Sequence, residues 1–260
     1  AVTVDGSVLG FGEGYLVPML ASVKSGAAEF AMDAKRVNYV VMKANPRTTK
    51  QVVYIEVNDC NPLNILEYNL EDGTPFFDAV ILFAANINYD AVNDVVYLHN
   101  NPNVQALLDE SEVYLQPLRK KGIKVYLGLL GNHDAAGLAQ LSDWGAREWA
   151  KEVAEACRVY KLDGVNLDDE YSAAPDLSNP WFTSHSGAAA ARLAYELKVA
   201  MKEACYWQTE VSFYRLGSIR DTPTIQVDGQ TITQSQYVDF VVADYMNYVS
   251  PWGDLTPANC

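Results

Sequence analysis

From Gln51 onward the chain alternates short apolar runs, rich in β-branched and aromatic residues, with longer stretches of helical periodicity, and this rhythm limits its fold more than any other feature. Repeated strand–helix units build a parallel sheet covered by helices. Strands are expected at Val52 to Val57, Asp78 to Ala84, Lys124 to Leu130, Gly164 to Asp168, Glu210 to Tyr214 and Val238 to Tyr245. Several are apolar almost throughout, as strands covered on both faces must be. One helix follows Ser142, with Trp144, Trp149, Val153 and Cys157 as its apolar stripe and Arg147, Glu148, Lys151, Glu152 and Glu155 opposite. Others run from about Ala188 to Cys205 and from Asn103 to Lys120.

The segment before Gln51 breaks the rhythm. Two strand-like runs, Tyr15 to Val23 and Val37 to Ala44, are followed by the linker-like Asn45 to Thr49, so residues 1–46 read as a β-rich segment, the end of a β-sandwich. Charge excludes one class of partner: 33 acidic against 19 basic residues give a net charge of −14, unsuited to a phosphate backbone. The expected partner is a neutral ligand. No apolar run reaches the roughly 18 residues of a spanning helix. Four cysteines, none in CxxC spacing, indicate neither a zinc site nor a redox pair and leave the compartment open.

The chemistry is concentrated in Leu162-Asp163-Gly164-Val165-Asn166-Leu167-Asp168-Asp169-Glu170-Tyr171. Alternation on an extended strand puts Asn166, Asp168 and Glu170 on one face and turns Val165 and Leu167 to the helix layer. Carboxylates aimed into a barrel are costly unless used, and the C-terminal end of a parallel strand is where catalysis sits. Neighbouring carboxylates cannot both ionise cheaply, so one tends to keep a proton and serve as general acid. Glu170, nearest the mouth, is the better placed donor. A metal site or a structural hydrogen-bond network would use the same residue types, though no His lies nearby in the sequence to help bind a metal.

Asp163-Gly164 with Asp168-x-Glu170 resembles the signature of glycoside hydrolase family 18. Val53 to Asn58 with Pro62-Leu63-Asn64, Phe83 to Asp90, Tyr97-Leu98-His99 and Gly131-Asn132-His133 are similar, in order, to the strand ends of its endo-β-N-acetylglucosaminidase branch. The resemblance covers roughly Gln51 to Trp252. It implies a (β/α)8 TIM barrel over residues 47–260 that cleaves the GlcNAcβ1-4GlcNAc core of N-linked glycans with retention, without metal or cofactor, as a monomer working outside the cell or at the bacterial envelope. The family uses substrate assistance, in which the sugar's 2-acetamido carbonyl attacks its own anomeric carbon. Glu170 would then be acid and base, and Asp168 would orient the acetamide.

Two positions depart from the family. Asn166 stands where many members carry Asp; it can still hydrogen-bond Asp168 but cannot take up charge, and altered pH dependence rather than inactivity is expected. At the tyrosine of the sixth strand an ungapped match gives Met246, so Tyr245 or, after a longer shift, Tyr248 would fill the role. Among sugar-binding candidates the resemblance points to Asn86, Asn132 and His133. Glu56, set among apolar residues, needs a buried partner or a site role, and Tyr214 closes the fifth strand. The alternatives are a chitinase and a non-catalytic glycan-binding relative.

Only six strands are found, two short of a closed ring. Either the last two strands are absent from the chain, or the two N-terminal runs complete the ring in permuted order. The short Asn45 to Lys50 connection has no room for a helix and disfavours permutation.

Overall fold

The structure, a computed structural model, describes residues 50–205, 207–221 and 223–244, with four short strands before them. Those four are β1 (Gly12–Leu16), β2 (Val23–Ser25), β3 (Ala28–Phe30) and β4 (Val37–Val41). β1 pairs antiparallel with β4 and β2 with β3, each pair a sheet of its own.

The main sheet holds β5 (Val52–Glu56), β6 (Ala79–Asp90), β8 (Lys124–Leu130), β9 (Gly164–Asp168), β10 (Glu210–Arg215) and β13 (Phe240–Ala243), parallel and neighbouring in chain order. This is the curled half of a (β/α)8 barrel, and all six strands lie where the apolar runs predict them. The second strand holds a surprise. β6 runs on to Asp90, turns through Asp90–Asp94 and pairs antiparallel with β7 (Val95–His99). The strand-end motif Tyr97-Leu98-His99 is therefore the return arm of a hairpin. A second hairpin joins β11 (Ile225–Val227) to β12 (Gln230–Ile232).

Registers set the inward residues opposite one another, Tyr54 with Ile81, Ile81 with Tyr126, and Gly128 and Ser212 with Asn166; one step further along, Glu56 stands opposite Phe83 and Leu130 opposite Asp168. Lower down, Glu210 pairs with Lys124 and accepts from Tyr126 Oη at 2.5 Å. The outward residues, including Val165, Leu167, Val211 and Phe213, join the larger core under the helices.

α4 (Asp143–Tyr160) is capped by Ser142, whose hydroxyl accepts from Gly145 N–H at 3.0 Å. Its buried stripe runs through Ala146, Trp149, Val153 and Cys157. Trp144 does not belong to it: two residues before Ala146 it points about 200° away, is 47% exposed, and lies against Trp181 with ring centroids 4.5 Å apart. α5 (Gly187–Ala204) packs beside α4 and buries Leu193, Leu197 and Met201. The single helix read over Asn103 to Lys120 is three: α1 (Pro102–Asp109), α2 (Ser111–Tyr114) and α3 (Gln116–Lys120). Pro117 has no N–H to continue the ladder, and Glu110 leaves helical geometry at φ −97°, ψ 31°. The short α6 (Gln234–Tyr237) precedes β13.

Candidate active site

Asn166 is fully buried and satisfied from both sides. Its Oδ1 accepts from Tyr54 Oη at 3.0 Å, and its Nδ2 donates to Ser212 Oγ at 2.9 Å. Ser212 passes its own hydrogen to Val165 O at 3.2 Å. Asn166 thus bonds not to Asp168 but to Tyr54 on β5 and to Ser212 on the neighbouring β10. Partners level with Asn166 lie within reach, whereas Asp168 is two residues, about 6.6 Å, further along the strand.

Asp168 is 4% exposed, and its Oδ1 is buried without a hydrogen-bond partner. Burial first, then the charges of Glu170 and Asp169, push its carboxyl up to about 7. Burial and the nearby Asp168 charge also hold the Tyr54 phenol well above the usual tyrosine range. Glu170 lies just past the strand end, half-buried, with its N–H donating to Asp168 O at 3.1 Å.

Two loops grip this turn. At Gly131, after β8, a Cβ would stand 2.2 Å from Glu170 O; at Gly217, after β10 and at φ +59°, one would stand 2.5 Å from Asp169 O. His133 N–H donates to Tyr171 O at 2.5 Å, and the two rings lie 5.1 Å apart. Asp169, opposite in orientation to Asp168, is buried against His185 and Ser218.

The sugar-binding candidates are placed unevenly. Asn86 donates to Gly131 O at 3.1 Å, and Asn132, exposed, donates to Asn88 Oδ1 at 3.1 Å, so both brace the loop that carries His133. Tyr214 lies edge-on to Tyr54, ring centroids 6.0 Å apart, with its hydroxyl 3.4 Å from Asp244 Oδ1. Glu56 is exposed rather than buried, because it ends β5 where the chain turns into the loop, and it accepts from Asn58 Nδ2 at 2.7 Å. Tyr245 and Tyr248 lie outside the described residues. Tyr54, Ser212, Asp169, His185 and Ser218 were not singled out from sequence. Tyr54 had a signal, its inward parity on β5, and so had Asp169, a carboxylate on the helix-facing side that needs a partner. Among the described residues no His, Cys, Asp and Glu gather as a metal site, and no helix is long and apolar enough to cross a membrane.

Fold and site together are of the barrel type that presents its chemistry at the C-terminal strand ends. The chain is 48% identical over 193 residues to endo-β-N-acetylglucosaminidase F1 of Elizabethkingia meningoseptica, covering 74% of this chain and 55% of that protein. It is 47% identical over 122 residues to an endo-β-N-acetylglucosaminidase of Flavobacterium sp. (strain SK1022), covering 46% of this chain and 38% of that protein. The crystal structure of Bacteroides thetaiotaomicron EndoBT-3987 with its Man9GlcNAc2Asn substrate superposes with a TM-score of 0.75 at 48% identity, covering 82% of this chain and 51% of that one. No family model matches. Over the stretch it shares with them the chain is similar to endo-β-N-acetylglucosaminidases, and it spans about half the length of the first of these relatives.

Proposed function

We propose that this chain carries the active site of an endo-β-N-acetylglucosaminidase that hydrolyses the GlcNAcβ1-4GlcNAc core of N-linked glycans. The observation that supports this most is Asp168, a buried carboxylate with an unpartnered oxygen, two residues before the half-buried Glu170. Such a group is expensive in a folded protein and calls for a ligand that donates to it. The acetamide N–H of a bound GlcNAc is a donor of that kind.

In the proposed reaction the acetamide oxygen attacks the anomeric carbon as Glu170 gives its proton to the departing glycosidic oxygen. Asp168 accepts from the acetamide N–H and stabilises the positive oxazolinium ring. Water then attacks the same carbon from the side the leaving group vacated; Glu170 takes its proton, the ring opens, and the configuration is retained. Both carboxylates stem from one strand end and so cannot flank the scissile bond, which suits an acid/base and an orienting group rather than an acid and an enzyme nucleophile. Tyr54, Asn166 and Ser212 form the floor beneath. With that substrate class goes a proposed site of action outside the cell or at its envelope.

A high-mannose glycoprotein and chitin oligomers, offered separately, test the choice of substrate. The glycoprotein is expected to lose its glycan and shift on a gel while the oligomers stay intact. Shortened oligomers with an unshifted glycoprotein would favour a chitinase, and binding without cleavage of either would favour a glycan-binding relative.

A further inference from the structure

We propose that His185 is a positioning residue for the Asp168–Glu170 pair, acting through Asp169 and Ser218; this rests on reading those two carboxylates as the reacting pair. Asp169 lies between them in sequence and points the other way, its side chain only 1% exposed. A buried carboxylate needs donors, and Asp169 finds two from different units of the barrel. Ser218 N–H donates to its Oδ2 at 2.8 Å, and His185 Nε2 stands 3.1 Å from Oδ2 and 3.2 Å from Oδ1. The ring's Nδ1 lies 2.9 Å from Ser218 Oγ, closing a loop of three residues. A neutral imidazole with its proton on Nε2 satisfies all of them: Nε2 donates to Asp169, and Nδ1 accepts from the Ser218 hydroxyl.

Each corner is anchored. His185 immediately precedes Ser186, the cap of α5, whose N–H donates to Ala139 O at 2.8 Å. Ser218 lies in the turn Gly217–Asp221, pinned by the fully buried Ile219. The network therefore ties the end of β9 to the start of α5 and to the loop after β10, while Gly131 bears on the turn from the β8 side. Displacing Asp169 would move Asp168 and Glu170 with it, because they are its covalent neighbours.

The contact order Ser218–His185–Asp169 is that of a nucleophilic relay, but the geometry argues against one. The Ser218 N–H, a natural donor to an oxyanion, is bound to Asp169. The serine serves to orient the ring.

The test uses the whole chain. His185→Ala is expected to lower kcat on a high-mannose glycopeptide about 10- to 100-fold while KM stays within about 3-fold, as misplacement of reacting groups does. His185→Gln, which keeps a donor where Nε2 stood, is expected to recover most of that loss. Ser218→Ala, a milder change, should cost about 2- to 10-fold in kcat. Without substrate, the backbone amide resonances of Asp168 and Glu170 should move in His185→Ala and return in His185→Gln. Unmoved resonances, native kcat in His185→Ala, or a loss that Gln does not recover would each overturn the proposal. Resonances that move and return in a chain that releases no glycan would leave the positioning intact and defeat the functional reading instead.

Discussion

At the scale of single residues, Asp168 stores instability that its proposed role requires. Its folded carboxyl titrates near 7, against about 3.9 in an unfolded chain, so the folded state holds the proton more tightly. The sign follows: burial costs nothing below about pH 4, destabilises progressively as pH rises through 7, and reaches at most about 4 kcal/mol above that. Asp168→Asn removes the charge and should be more stable than the native chain at about pH 8, with the gain fading by about pH 4. Urea midpoints across that range check it; a pH-independent difference or a loss of stability would contradict it. Parity along the strand was enough to turn Asn166 and Asp168 inward. What Asn166 would bond was not legible, since Tyr54 is 112 residues away and Ser212 is 46. Pairing of β10 beside β9 sets Ser212 opposite Asn166, and curling of the sheet brings in Tyr54 from β5.

Among the elements, β9 and its entry divide one motif into a structural half and a half proposed to be functional. Asp163 accepts from Arg119 Nε at 3.0 and 3.1 Å, from Arg119 Nη2 at 3.1 Å and from Val125 N–H at 2.9 Å. Gly164 leaves space that no side chain has: a Cβ there would lie 1.9 Å from Glu210 O, at φ +149°. These two residues set the strand against its neighbours, and the proposed reacting pair, Asp168 and Glu170, stands at its far end. Asp163→Ala would take the opposite charge away from the Arg119 guanidinium, 3% exposed, and should cost about 3–5 kcal/mol in chemical denaturation. At a temperature where the fold holds, kcat should change less than about 3-fold; a collapse of kcat with stability unchanged would put Asp163 in the reaction. The strands were legible because long-range burial imposes apolar runs on each of them. The hairpin of β6 and β7 was not, because Asn86, Asn88 and Asp90 interrupt the apolar pattern where the strand leaves the core. The break at α2 was missed because inward residues such as Val104, Leu108 and Leu115 keep helical spacing across it.

For the whole molecule, the described residues contribute six parallel strands in chain order, and the shared stretch covers between 38% and 55% of the relatives with which it was compared. Sequence rhythm reached that architecture, while the loops that grip the carboxylate turn, through Gly131, Gly217 and His185, emerge only in three dimensions. Whether glycan is cleaved by the chemistry of one strand end is decided by a single comparison. Native chain and Glu170→Gln are incubated with a high-mannose glycoprotein, and the released sugar is weighed by mass spectrometry. The native chain should release a glycan ending in one GlcNAc and leave one GlcNAc on the protein, and Glu170→Gln should be slower by about 10²- to 10⁴-fold, the worth of a general acid. Release that survives undiminished in Glu170→Gln, or no release by the native chain, would contradict the account.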